Sequence, residues 1–500
     1  MDTVEKWGLF EVSLKGPSAG NPFTEQSVSA TFRSKNEIVT VDGFYDGDGV
    51  YRVRFMPSFT GDYVYETVGS FPEAESAGDF TVTEPTGNNH GPVRIANTYH
   101  FAYEDTTPYY SVGTTCYAWA HQPEEVHKQT LEELDKGYFN KMRFCVFPKH
   151  YIHNFRDPET FPYEGTPVDN SNLTEENFSY SVDFSGNNWN FTRFNPEHFR
   201  RMERCIVELQ ERGIEADIIV MHPYDRWGFS AMNREQDDLY WNYVIARFSA
   251  YRNVWWSLAN EYDLMRAKKL EDWEHYADLL CKKDPYNHMR SIHNCIPFYD
   301  HTRPWITHCS LQRQDLYRHV EYTTDYRTRY QKPIVWDEIA YEGNIDMGWG
   351  NISGQELTRR FWEASMRGGY AGHGETFMNP EDILWWSHGG KLHGESPARI
   401  RFLHEILTQT PGLGLKQGLG AFDETVAVPD EMIPVTGYEI HYYGFGRPSF
   451  RDFVKPAGEN WRVEVIDTWN MTITDAGVHS GKFRIALPGH EYMAVRLTRV

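Results

Sequence analysis

Two stretches end in acids placed where chemistry could use them. "NVWWSLANEYD" (253–263) runs from large apolar residues into Asn260 and Glu261, and "IVWDEIAYEG" (334–343) runs from an apolar segment into Asp337 and Glu338. Each glutamate closes an apolar run that contains tryptophan. A carboxyl group that gives a proton, opposed by one that stays ionised, is what cleavage of a glycosidic bond needs. The first protonates the departing oxygen, and the second attacks or supports the oxocarbenium-like carbon. The two roles require opposite environments. Burial or a neighbouring anion keeps the donor protonated, whereas hydrogen-bond donors and cations keep its partner ionised. Glu261, beside Tyr262 and a Trp-rich run, suits the first role; Glu338, with Arg143 and a histidine within reach, suits the second. The plain alternative is a pair of solvated strand-end carboxylates.

Positioning such a pair takes strands, and the middle of the chain supplies them. From about 97 to 408 the pattern is strand, loop, helix. Apolar strand candidates are 109–115, 141–147, 215–221, 253–258, 289–293, 305–310, 333–338 and 368–373, with amphipathic runs such as "PEHFRRMERCIVELQERG" and "LMRAKKLEDWEHYADLLCKK" between them. Eight strands alternating with helices predict an α/β (β/α)8 barrel. The fifth-to-sixth connection, "NCIPFYDHTRP", is too short for a good helix. Residues 1–96 alternate apolar and polar in "YRVRFMP" and "DYVYETV" and predict an immunoglobulin-like β-sandwich. Residues 409–500, with "GYEIHYYGF" and "RVEVIDTW", predict a C-terminal β-sandwich domain. The long aromatic stretch from His150 to Asn195 would overhang the C-terminal face of the barrel, where active sites form.

Each strand's end presents candidates. The first offers Thr115, Tyr117 and Trp119; the second, Arg143, Lys149 and His150; the third, His222, Tyr224 and Asp225. The fourth offers Asn260 and Glu261, the fifth His293 and Asn294, the sixth His308 and Gln312. The seventh gives Asp337 and Glu338, the eighth His373 and Glu375, followed by Trp385 and Trp386. Trp385 and Trp386 read as sugar platforms or as rim packing. His222 and His308 read as site residues or as satisfied polar neighbours, and Glu375 reads as a support for the pair. Asp337 should point the other way from Glu338, into the barrel wall, and becomes the nucleophile if the register slips by one. Histidines at four strand ends (222, 293, 308, 373) also allow a metal-dependent, amidohydrolase-like barrel, although the first strand lacks an HxH pair. A non-catalytic carbohydrate-binding barrel is the remaining alternative.

With Asn-Glu closing the fourth strand and Glu closing the seventh, the chain resembles the glycoside hydrolases of clan A, and its layout resembles hydrolases with an N-terminal sandwich, a central barrel and a C-terminal β-domain. The resemblance implies Glu261 as acid/base, Glu338 as nucleophile, Asn260 as hydrogen-bond partner of the sugar 2-hydroxyl, and Arg143 as support for the ionised nucleophile. It departs from the clan after the sixth strand, where a tyrosine is usual and His308 stands. The expected enzyme is a retaining glycosidase that releases a terminal sugar from an oligosaccharide or small glycoside, without metal or other cofactor.

The totals limit the partners. With 49 Lys and Arg against 71 Asp and Glu, the net charge is −22, which repels nucleic acid and anionic membrane surfaces. No run is long and apolar enough to span a bilayer. "MDTVEKWGLF" lacks a signal-peptide pattern, and the six cysteines are scattered, so a cytoplasmic protein with reduced thiols is expected. A homo-oligomer is compatible with the sequence.

Overall fold

The computed structural model describes residues 2–154, 156–315, 317–381, 384–420, 423–431 and 436–500. Its centre is an eight-stranded parallel sheet: β1 (Val112–Thr115), β2 (Lys141–Cys145), β3 (Glu215–Met221), β4 (Val254–Ala259), β5 (Arg290–Ser291), β6 (Cys309–Ser310), β7 (Ile334–Trp336) and β8 (Tyr370–His373). The hydrogen-bonded order is β5-β4-β3-β2-β1-β8-β7-β6. The two ends meet through a parallel bridge between His293 and Ser310, which closes the (β/α)8 barrel. Every residue of β3 and β4 is buried, because helices cover the outer face and side chains fill the inner one. Such strands read as continuous apolar runs rather than alternating ones.

The helices of the barrel are α1 (Glu124–Leu134), α2 (Pro196–Glu211), α3 (Arg234–Phe248), α4 (Leu270–Lys283), α5 (Thr323–Tyr330), α6 (Gly354–Met366), α7 (Trp385–His388) and α8 (Ser396–Leu407). Caps explain several starts. The Asn195 side chain accepts from the backbone of Glu197 with Pro196 in the first turn of α2, and Asn233 and Gln236 form a capping box on α3. The amphipathic run from Leu264 becomes helix only at Leu270, because residues 262–264 form a tight turn behind Glu261. As the sequence suggests, β5 and β6 are joined without a helix. Both strands are two residues long. The apolar residues before β6 are buried in the connecting turn instead; Ile306 is 1% exposed without pairing in the sheet.

Strands between residues 2 and 83 form a five-stranded and a three-stranded sheet, packed through stacked rings such as Phe10 on Phe80 (3.8 Å) and Phe32 on Phe55 (4.3 Å). A small meander, Val93–Ala96, His100–Tyr103 and Pro108–Tyr109, follows. It plugs the lower end of the barrel, where the Phe101 ring lies 5.2 Å from Trp255 and 5.1 Å from Tyr370. Tyr109, read from sequence as part of the first barrel strand, belongs to this plug. After α8 come a six-stranded antiparallel sheet and a two-stranded pair, Phe450–Val454 with Lys482–Ala486. No described helix is long and apolar enough to cross a membrane.

Candidate active site

β4 ends by delivering Asn260 and Glu261 to the upper mouth of the barrel. Glu261 has a left-handed backbone (φ 49°), a conformation that costs a non-glycine residue roughly 1 kcal/mol or more. Backbone bonds from Asn260 to Met221 (3.0 Å) and from Tyr262 to His293 (3.0 Å) pin the turn to β3 and to the end of β5. From this turn the Glu261 side chain lines the cavity. One oxygen accepts from Gln312 (2.8 Å) and the other from the phenol of Tyr224. The group is 7% exposed. Burial raises its pKa, and the charge of Glu338 raises it further against the opposing pull of Tyr224, His293 and Lys149.

Glu338 sits where β7 has already broken pairing. Its carboxylate accepts from the Tyr117 phenol and lies 3.3 Å from Nε2 of His293. The His293 ring is held from behind. Ser310 donates its hydroxyl proton to Asp337 (2.5 Å), so its oxygen is the acceptor for Nδ1 of His293 (3.0 Å). Burial alone would raise the Glu338 pKa. The His293 contact, the Arg143 charge and the Tyr117 hydrogen bond more than offset it and bring the group down to about 2. Two carboxyl groups on one cavity are therefore driven in opposite directions, one toward the acid and one toward the anion.

Beneath them lies a buried ionic layer. Lys141 bridges Asp217 and Asp337, each at 2.8 Å, and Arg143 Nε is 3.7 Å from Asp217. Arg143 also holds the Asn260 carbonyl oxygen at 3.2 Å, which leaves the Asn260 NH2 group as a donor toward a ligand. Asp337 does turn away from Glu338, but into this interior layer rather than into the barrel wall. It is fully buried there and its pKa is depressed, burial being outweighed by Lys141 and Arg143. It is not among the residues that line the cavity.

The cavity has a volume of about 480 Å³ and is lined by Glu261, Glu338, Asn260, Tyr117 and Trp386. Tyr224, Gln312, Lys149, Tyr151 and Tyr341 also line it. Tyr224, Gln312, Lys149 and His293 stand at strand ends in the sequence, but only the closed barrel gives a reason to prefer them. The usable signal was period two: Gln312 follows Ser310, and His293 follows Ser291, on the same inward face. The Lys149 ammonium lies 3.5 Å from the Tyr117 ring centroid, 4.5 Å from Tyr224, and 4.9 Å from both Tyr151 and Trp386. Burial lowers its pKa to about 8.

Other sequence candidates are elsewhere. His308 is not beside Glu338. It is at the lower end of the barrel between Trp255 (5.0 Å) and Phe101 (5.9 Å), because it falls two residues before the inward-facing Ser310 and so one layer deeper; His293 holds the place beside the carboxylate. Trp119 stacks on His127 at 4.6 Å in the core, and Trp385 donates to Thr114 (2.8 Å) behind the sheet, so of the two neighbouring tryptophans Trp386 faces the cavity. His222 bonds the Phe147 carbonyl (3.1 Å) outside the cavity. Glu375 accepts from the His393 backbone, its pKa pushed up to about 8 by burial, and is likewise outside the cavity. The four strand-end histidines do not converge: His373 packs on Phe139 and His222 on backbone. Among the described residues no group of three or more His, Cys, Asp or Glu side chains is arranged to hold a metal.

Comparison with known proteins places this arrangement. Residues 96–390 match the family described as "Apiosidase-like, catalytic domain". Residues 3–70 and 430–498 match two domains of unknown function, DUF5060 and DUF5605. No curated protein matches the chain. A crystal structure from Bacteroides vulgatus ATCC 8482, whose assignment as a glycoside hydrolase is itself provisional, is 34% identical, with 100% of each chain covered and a TM-score of 0.92. A glycoside hydrolase family 5 structure from the same strain shares the fold at 13% identity, covering 82% of this chain and 94% of its own, with a TM-score of 0.61. The chain belongs to the apiosidase-like family and is a glycoside hydrolase.

Proposed function

We propose that the enzyme is a retaining glycosidase in which Glu338 attacks the anomeric carbon while Glu261 protonates the departing oxygen. Glu261 then takes a proton from the water that releases the sugar from Glu338, which restores both groups. The observation that carries this reading is the opposite drive on two carboxyl groups of one cavity: Glu338 drawn toward the anion by His293, Arg143 and Tyr117, and Glu261 drawn toward the acid by burial and by the charge of Glu338. Asn260, with its carbonyl fixed by Arg143, suits a sugar hydroxyl as its acceptor. Trp386 and Tyr341 line the cavity with aromatic side chains of the kind that pack on a sugar's C–H surface.

Removal of a terminal sugar fits a cavity walled by the loops that carry Tyr151, Gln314 and Trp349, which leave room for few rings. A reducing compartment fits six cysteines that are all unpaired. The family's description makes an apioside the first glycone to try. The test is a panel of aryl glycosides that includes an aryl apioside, with proton NMR of the first-formed product. The expected result is turnover of at least one member with retained anomeric configuration. Initial appearance of the opposite anomer would overturn the double displacement. Binding of a glycone without turnover, equal in the wild type and Glu338→Gln, would instead favour a non-catalytic binding protein.

A further inference from the structure

A second cavity of about 660 Å³ lies against the first. Tyr151 and Tyr224 line both, their rings 5.1 Å apart and edge-to-face, so they form the partition between them. The second cavity is on the Glu261 side. Tyr224 is hydrogen-bonded to Glu261, and residues 264–267, which follow Glu261 in the chain, make one of its walls. A proton donor must face the oxygen that departs, so the leaving group extends past Glu261, toward this cavity.

The composition of the walls then says what kind of leaving group fits. Tyr180, Val182, Phe184, Pro223, Leu264 and Met265 supply apolar and aromatic surface. Two of the polar groups among them are engaged already, while Nδ1 of His150 is buried without a partner. Asp225 accepts from the backbone of Trp227 (2.7 Å), Gly228 (3.2 Å) and Ser230 (2.7 Å) and from the Ser230 hydroxyl (2.9 Å). The Tyr224 phenol is committed to Glu261. Burial lowers the His150 pKa to about 4, which keeps that wall uncharged at neutral pH. Exposed Arg266 is the remaining charge on the lining. A second sugar ring brings several hydroxyl groups and would find few side chains free to pair with them on these walls. A flat aromatic or apolar group needs no such partners.

Building on the two-glutamate reading, we infer that this second cavity is the leaving-group site and that it takes an aromatic aglycone, so that the natural substrates are glycosides of phenolic or similar apolar alcohols. Leu264, 39% exposed on the cavity wall, is the position at which to test this, since a change there is tolerated by the fold. Two probes, p-nitrophenol and cellobiose, are titrated by ligand-observed NMR into the wild type, Leu264→Asp and Ala231→Phe; on the glycone selected by the panel, aryl and methyl glycosides are then compared. The expected result is that p-nitrophenol binds in preference to cellobiose and that both variants weaken it. The preference in kcat/KM for aryl over methyl glycoside should fall about tenfold in Leu264→Asp, the effect of losing roughly 50 Å² of apolar contact. Preferential binding of cellobiose, or p-nitrophenol affinity that neither variant changes, would overturn the inference. Because the binding arm needs no turnover, p-nitrophenol binding that is weakened by both variants, in a protein inactive on every glycoside, would uphold the aromatic site and refute the two-glutamate mechanism alone.

Discussion

Glu261 and Glu338 each hold a phenol, and the two phenols act on opposite limbs of a pH profile. In the proposed double displacement Glu338 must be ionised, so the acid limb would report Glu338; Glu261 must be protonated, so the alkaline limb would report Glu261. The Tyr224 hydrogen bond favours ionised Glu261. Tyr224→Phe therefore raises the Glu261 pKa and moves the alkaline limb to higher pH, by about one pH unit for one charge-assisted bond. The Tyr117 bond likewise favours ionised Glu338, and Tyr117→Phe moves the acid limb upward. Profiles of kcat/KM for both variants between pH 3 and 10 check the signs; a shift of the wrong limb would reverse the assignments. Glu261→Ala should lose roughly 100-fold or more on glycosides with poor leaving groups and far less on dinitrophenyl glycosides, which depart unprotonated. Both glutamates were legible in the sequence, because each ends an apolar run where a barrel strand opens onto the mouth. Tyr117 and Tyr224 were legible as strand-end residues after β1 and β3, but their pairing was not, since only closure of the barrel sets them against Glu338 and Glu261.

At the scale of elements, the seam between β5 and β6 does more than close the sheet. Ser310 of β6 touches His293 beyond β5 and Asp337 beyond β7, so one hydroxyl ties three strands and fixes the ring against Glu338. Ser310→Ala should lower kcat about tenfold, while the unfolding midpoint falls by only about 1–3 °C. Its acid limb should also move to higher pH, because the His293 contact is among the influences that hold the Glu338 pKa down. A merely structural role would lower the midpoint and leave the limb in place. β3 was readable residue for residue, a seven-residue buried run. β5 and β6 were not, because apolar content reports burial rather than pairing, and Ile306 is buried in a turn. That difference is also why His308 was misplaced: beside a two-residue strand, a shift of two positions moves a side chain a full layer down the barrel.

At the scale of the molecule, ion pairs distant in sequence hold the β-domains to the barrel. On one side Arg54 of the N-terminal strands meets Glu203 of α2 (2.6 Å), which also binds Arg247 of α3 (2.6 Å). On the other, Asp430 contacts Arg327 of α5 (2.5 Å), His100 of the plug (3.0 Å) and Lys416 (3.1 Å). Burial works against the ionised form of Asp430, but His100 and Arg327 depress its pKa overall. A depressed carboxylate stabilises the fold fully above its unfolded pKa of about 4, and the contribution fades as pH falls through the lower folded value. Asp430→Asn should therefore cost about 3–5 kcal/mol at pH 7, with the gap to wild type narrowing below pH 4, as followed by thermal unfolding across pH. The three-part layout could be read from the change in pattern along the chain. Which charges join the parts could not, since Arg54 and Glu203 are 149 positions apart and nothing local marks them as partners.

The most direct test of the central claim is to find which side chain carries the sugar. The glycone chosen by the panel is presented as its 2-deoxy-2-fluoro glycoside with a dinitrophenyl leaving group, and the digested enzyme is mapped by mass spectrometry. The expected result is one glycosyl adduct, on the peptide bearing Glu338 and localised to that residue, absent from Glu338→Gln. An adduct on Asp337 or Glu261, or turnover of the parent glycoside with inversion and no adduct, would contradict it.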